Sequence, residues 1–285
     1  MSVKIIADST CDLTQELIKE YDAELLPLHI LLGEEKEYKD GVDITPEEIY
    51  KWSDETGNTP KTSAPSLGDA FDILRKYKDE YDEIICFTIS THVSTSYNVF
   101  KIASSDLEIE DRVHVIDSKN LSCGIALLIM EASRLNKEGK SAKEIVEYID
   151  QLIPMVRTSF ILETLEYLSR GGRCNSLTAV MGGALKIHPV ISLEDGELKV
   201  GKKYRGPFHK IAMHYVSDLK EELLHGDKKM VFVVHSGVDR EILDEIKAAI
   251  EELNHFERIE EAIAGSVISS HCGPSTLGIM FRKAI

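Results

Sequence analysis

Three short apolar runs in the first half of the chain constrain its fold most: VKIIAD (3–8), EIICFTI (83–89) and VHVIDS (113–118). Each runs out into Ser, Thr or Asp and gives way to a segment with helical spacing of its apolar residues. Strand–helix–strand repetition of this kind predicts parallel β-α-β units. The helices announce their starts. Leu17, Ile18 and Tyr21 share a face after VKIIADST; Thr45 precedes Pro46 as an N-cap; Ser66 stands three residues before Asp69. LLPLHILL (25–32) reads as one buried strand, and further helices are expected over about 94–104 and twice within 122–154.

The second half has a different rhythm. SFILETLEYLSRGGR (159–173) is apolar, then helical, then closed by two glycines and an arginine, and IHPVISLEDGELKVGKKYR (187–205) reads as a hairpin turning at EDGE. A helix (207–225), a strand (230–236), a helix (239–254) and two strands flanking SSHCGPSTLG (269–278) complete it. Since 285 residues exceed one core of common size, the chain divides near Pro154 into an α/β N-terminal domain (1–155) and an α+β C-terminal domain (156–285).

A net charge of −16 repels phosphate backbones and no basic patch offsets it, which argues against nucleic-acid binding. The opening MSVKIIADST has no signal-peptide core, and GIALLIM (124–130) is too short to span a bilayer, so a soluble, cytoplasmic protein is expected. Five isolated cysteines read as reduced thiols; Cys86 is a core residue by its neighbours, and nothing beside Cys272 argues for a thiolate. G-x-G-x-x-G and H-E-x-x-H are absent, and GKS (139–141) has Arg134 where a phosphate-binding loop needs glycine. Neither a metal nor a nucleotide cofactor is expected.

What remains is a set of hydroxyl-rich stretches: ADST (7–10), PKTSAPS (60–66), FTISTHVSTSYN (87–98) and SSHCGPST (269–276). Such residues cap helices, and they also gather at the carboxyl ends of parallel strands, where α/β proteins bind ligands. Thr62 and Ser63 lean toward the ligand reading, because Pro65 keeps Ala64 extended and Ser66 is already the better cap. Ser94 fits either role. His271 is either a satisfied structural histidine or a group that holds a ligand. A hydrolase or acyltransferase would use Ser94 or Ser270 with His271 and an acid such as Asp8 or Asp117 brought in by the fold. Arg170 and Arg173 flank a glycine pair, either as surface charge or as a docking or phosphate contact.

The ordered series ADSTCDLT, PLHILLGEEKEYKDGVDITPEEIY, TSAPS, STHVSTSYN, VHVIDSKNLSCGIALL, FILETLEYLSRGGRCN, GKKYRG and SSHCGPSTLG resembles the DegV family over nearly the whole chain. The resemblance implies a Rossmann-like N-terminal domain, an α+β C-terminal domain and a fatty acid buried in a tunnel between them. It implies a carrier without chemistry or cofactor of its own, which presents the acyl carboxylate to a separate ATP-dependent kinase for acyl-phosphate formation. By the same resemblance, Thr62, Ser94 and His271 bind the carboxylate. The adjacent hydroxyls of Ser63, Thr95, Ser96 and Ser270 are secondary candidates, and Arg170, Arg173 and Arg205 contact the kinase or phosphate. Membrane contact would be transient, since no strongly basic amphipathic helix is present. The chain departs from the family in carrying Val93-Ser94-Thr95-Ser96-Tyr97 for Leu-Ser-Gly-Thr-Tyr, Ser269-Ser270 for Gly-Thr, and Ser275 for glycine.

Overall fold

The structure is a computed structural model that describes residues 2–34, 36–174 and 187–284. Its first sheet is four-stranded and parallel, in the order β2-β1-β6-β7: β2 (Ala23–Leu26), β1 (Val3–Asp8), β6 (Glu83–Thr88) and β7 (Val113–Asp117). Alternate residues serve opposite faces. Ile5, Ala7, Ile85 and Phe87 pack against α5 (Cys123–Lys137) and α6 (Ala142–Leu152). Ile6, Ile84 and Cys86 pack against α3 (Leu67–Tyr77) and α4 (Ser96–Asp106).

A second sheet of six strands runs β10-β9-β8-β13-β11-β12: β10 (Glu197–Arg205), β9 (Ile187–Glu194), β8 (Val156–Ile161), β13 (Thr276–Lys283), β11 (Gly226–Ser236) and β12 (Ile259–Ile263). Only the β11–β12 pair is parallel. One face carries α8 (Phe208–Leu224) and α9 (Arg240–Glu251); the other faces α5. Helix α5 touches both sheets and is buried on nearly every side over 123–129, which explains why its first half carries no charged residue.

The capping signals at Thr45 and Ser66 correspond to capping boxes, with Glu48 and Asp69, that start α2 (Pro46–Thr56) and α3. The hairpin turns at Asp195 and Gly196, both at positive φ, as a two-residue turn requires.

One expectation fails. LLPLHILL is not one strand: the chain leaves the parallel sheet at Leu26 and, past Pro27, enters a three-stranded antiparallel sheet as β3 (His29–Leu32), between β4 (Lys36–Lys39) and β5 (Lys61–Ser63). Proline has no N–H for a ladder, so the apolar run breaks there. Between the two strands expected around SSHCGPSTLG, residues 266–272 form a two-turn helix, α10 (Ser266–Cys272). Helix α7 (Glu166–Gly171) packs against it.

Candidate functional site

In the first sheet the chain turns from β1 to β2 on one side and continues through β6 and β7 on the other, so the order reverses between β1 and β6. Loops leaving two such strands diverge and open a crevice at their carboxyl ends. Here Asp8 ends β1 and accepts the Ile89 N–H at 2.9 Å, which fixes the start of the loop after β6. The loop then turns on itself, with Val93 and Ser94 donating backbone N–H groups to the Ser90 carbonyl at 3.0 and 3.2 Å. Ser94 thereby faces a cavity of about 490 Å³.

The cavity's lining is part polar, from Thr62, Ser63, Thr91, His92, Ser94, Thr95, Arg173 and His271, and part apolar, with Leu28, Ile89, Leu121, Phe160, Leu198 and Ile268 among the apolar residues. Its walls come from the loops that leave the first sheet, from the second sheet and from the small one: Ile89 and Leu121 follow β6 and β7, Thr62 sits on β5 opposite Ile30, Phe160 on β8 and Leu198 on β10.

His271 is half-buried on the last turn of α10, and its Nε2 lies 2.7 Å from Thr62 Oγ1. Nδ1 is fully buried with no hydrogen-bond partner among the described residues. An unmet buried N–H is the more expensive orphan, so the proton belongs on Nε2, donated to Thr62. The Thr62 hydroxyl then keeps its own proton for a ligand oxygen. Burial, seconded by the charge of Arg173, pulls the imidazole down to about 4, so it is neutral near pH 7.

On the other side, Ser94 Oγ lies 2.9 Å from Ser96 Oγ. Ser96 is buried, and Asp8, which holds the Ile89 N–H at the start of this loop, also accepts the Thr10 hydroxyl at 2.5 Å. Burial pushes Asp8 up to about 6 against these donors. The serine loop is therefore tied to a buried carboxylate beneath the sheet edge.

Of the residues singled out in the sequence, Thr62, Ser63, Ser94, Thr95 and His271 converge on the cavity, with Ser96 directly behind Ser94. Ser270 does not: it is buried, and its hydroxyl bonds the Ser266 carbonyl at 2.7 Å. Arg173 lines the cavity, exposed, and donates to the Gly171 carbonyl at 2.6 Å. Arg170 lies outside it, pairing with Glu166 and bonding Thr59 Oγ1 at 3.0 Å, and Arg205 stands exposed at the end of β10. Asp117 holds Thr91, whose hydroxyl is 2.7 Å away, and Asp8 is occupied as above, so neither acid orients His271. A serine–histidine–acid triad is not assembled among the described residues. Burial pushes the Cys272 thiol up to about 12, which removes its nucleophilic form. No group of three or more potential metal ligands occurs among the described residues. None of their helices is long and apolar enough to cross a membrane.

The sequence did not reveal Gly171 as the seat of the imidazole. A Cβ there would stand 2.3 Å from His271 Nδ1. The adjacent Gly171-Gly172 pair was the available signal, but it reads equally well as a helix end.

The model of a family described as an uncharacterised protein, DegV family, matches residues 2–284. A protein of Thermotoga maritima named a fatty acid-binding protein is 32% identical, the alignment covering 98% of this chain and 96% of that one. A solved structure from Thermus thermophilus, described as fatty acid binding of a DegV family protein, superposes with a TM-score of 0.91 at 27% identity over 100% of both chains. Another from Eubacterium ventriosum, described as a stearic acid-binding protein, gives 0.86 at 32% identity over 99% of both.

Proposed function

The chain belongs to the DegV family, and on that premise we propose that it is a carrier that buries a long-chain fatty acid between its two large sheets. The acyl tail packs against the apolar side chains of the cavity and the carboxylate meets the hydroxyls of Thr62 and Ser94, with His271 behind Thr62. The observation that carries this reading is one cavity whose lining combines apolar side chains with the hydroxyl donors Thr62 and Ser94. The head group faces neutral donors and one exposed cation, so an ionised carboxylate is satisfied without a buried ion pair.

Magnitudes divide the labour. Each charge-assisted hydrogen bond contributes about 1.5–3 kcal/mol. Each buried methylene contributes about 0.8 kcal/mol, so the tail supplies most of the affinity and the hydroxyls set its direction.

In the same reading the bound carboxylate is presented to a separate ATP-dependent fatty acid kinase for acyl-phosphate formation. Arg173 at the cavity, with Arg170 and Arg205, offers guanidinium groups to that partner or to phosphate. Loading from a bilayer involves brief contact only, because a chain of charge −16 is repelled by anionic lipid.

Native mass spectrometry of the purified protein, followed by lipid extraction, tests the proposal. A stoichiometric fatty-acid adduct is expected, with Thr62→Ala and Ser94→Ala each weakening binding about tenfold or more. A protein that stays without adduct after incubation with saturated and unsaturated fatty acids would refute it.

A further inference from the structure

Helix α10 has only two turns, and its first residue follows Gly265, which has no side chain with which to cap it. Its free N-terminal N–H groups are met from elsewhere. Asp12 Oδ1 accepts the Gly265 N–H at 2.9 Å, across 253 residues of sequence. Asp40 Oδ1 accepts the Val267 N–H at 3.2 Å, across 227. Both carboxylates are buried, and each spends its second oxygen on a hydroxyl: Asp12 on Ser122, Asp40 on Ser9 at 2.7 Å. Ser9 in turn accepts the backbone N–H of Leu28, a cavity residue, at 3.0 Å. The fit is close, since a Cβ on Gly265 would lie 2.9 Å from Asp12 Oδ1 and 3.4 Å from Asp40 Oδ1.

We propose that Asp12 and Asp40 are positioning residues for the head-group site, acting through α10 to hold His271 against Thr62. This rests on the fatty-acid reading for its consequence, though not for its geometry. His271 is at the far end of the helix these carboxylates grip, and its 2.7 Å contact with Thr62 joins two segments that are 209 residues apart in sequence. The Ser266 hydroxyl adds a tie of its own, donating to the Ile44 carbonyl at 2.9 Å, but the N–H groups at the start of α10 are held by the two acids. A slide of about one ångström takes a bond of this length out of hydrogen-bond range. Burial pushes Asp12 up to about 8 and raises Asp40 as well, so what suits them to the task is the acceptor oxygen each presents to a helix N–H, which a carboxyl group keeps in either protonation state. Two of them, each locked by a hydroxyl, leave the helix little freedom to slide.

The test compares Asp12→Ala, Asp40→Ala and Asp12→Asn, which retains an acceptor, with Thr45→Ala, a cap removed from α2 as a stability control. Two readouts are taken: the His271 titration by NMR without ligand, and the ratio of affinities for stearic acid and for the alcohol of the same chain length. The alanine variants should move the His271 midpoint from about 4 toward the ordinary histidine value and weaken acid binding about tenfold while leaving alcohol binding within about twofold. Asp12→Asn should restore most of both, and Thr45→Ala should change neither. If the alanine variants do not fold, Gly265→Ala, which intrudes on Asp12 Oδ1, carries the same expectations. An unmoved His271 titration, or equal loss of acid and alcohol, overturns the proposal. A wild-type protein that binds neither ligand, with a His271 titration that still shifts in the variants, refutes the fatty-acid reading and upholds the positioning role.

Discussion

Gly171 and His271 meet so closely that the smallest side chain would separate them: a Cβ would stand 2.3 Å from Nδ1 and 3.1 Å from Cε1. The imidazole is thus trapped between a glycine that gives it room and a threonine that accepts its hydrogen bond. Gly171→Ala should push the ring off Thr62 and reduce affinity for a fatty acid about tenfold, with the alcohol of the same length much less affected. Titration calorimetry with both ligands reads this, and equal affinities for mutant and wild type would contradict the geometry. A second expectation concerns protonation. Burial lowers His271 to about 4 while an unfolded histidine titrates near 6.5, so the folded state resists the proton and its stability falls as pH drops from about 6.5 toward 4. His271→Gln should flatten that part of the stability–pH curve; an unchanged slope would mean the ring is not held neutral. The chemistry of Thr62, Ser94 and His271 was legible as hydroxyls and a histidine at expected element ends, and their convergence came from the family resemblance. Gly171 was not legible, because what it accommodates lies 100 positions away.

Elements divide by whether their start signals are local. The capping boxes of α2 and α3 lie within four residues, so Thr45 and Ser66 could be identified from sequence alone. Helix α10 has no such box; its caps come from Asp12 and Asp40, and a reading that looks only at neighbours sees hydroxyl-rich loop. The split of LLPLHILL had a local signal in Pro27, outweighed by the apolar run around it. The β9–β10 hairpin was legible, but its docking was not: Ser90 Oγ donates to the Gly196 carbonyl at 2.7 Å, and a Cβ on Gly196 would lie 2.7 Å from that oxygen. Gly196 also has φ of 87°, which side chains tolerate poorly. Gly196→Val should therefore destabilise the protein by about 1–3 kcal/mol, measured by urea unfolding. It should also loosen the loop that carries Ser94, so fatty-acid affinity should fall with it. Loss of stability without loss of affinity would separate the hairpin from the site.

At the scale of the whole molecule, the two large sheets share one core. Ile85 and Phe87 from the first, Phe160 and Phe232 from the second and the length of α5 between them belong to a single buried cluster. The cavity opens within this shared layer, with Ile89 and Leu121 contributed from one side and Phe160 and Leu198 from the other. Neither half can keep the cavity's shape alone, so ligand binding and the packing of the halves draw on the same contacts. A fatty acid present at a hundred times its dissociation constant stabilises the folded chain by about 2.7 kcal/mol. For a protein of this size each kcal/mol moves Tm by roughly 2–4 °C, which gives a shift of about 5–10 °C. Calorimetry of delipidated and loaded protein should therefore show one cooperative transition in each case, displaced as a whole by the ligand. A split scan in which the fatty acid moves only one of two transitions would mean that the halves melt independently and that the ligand belongs to one of them, against a cavity built from both.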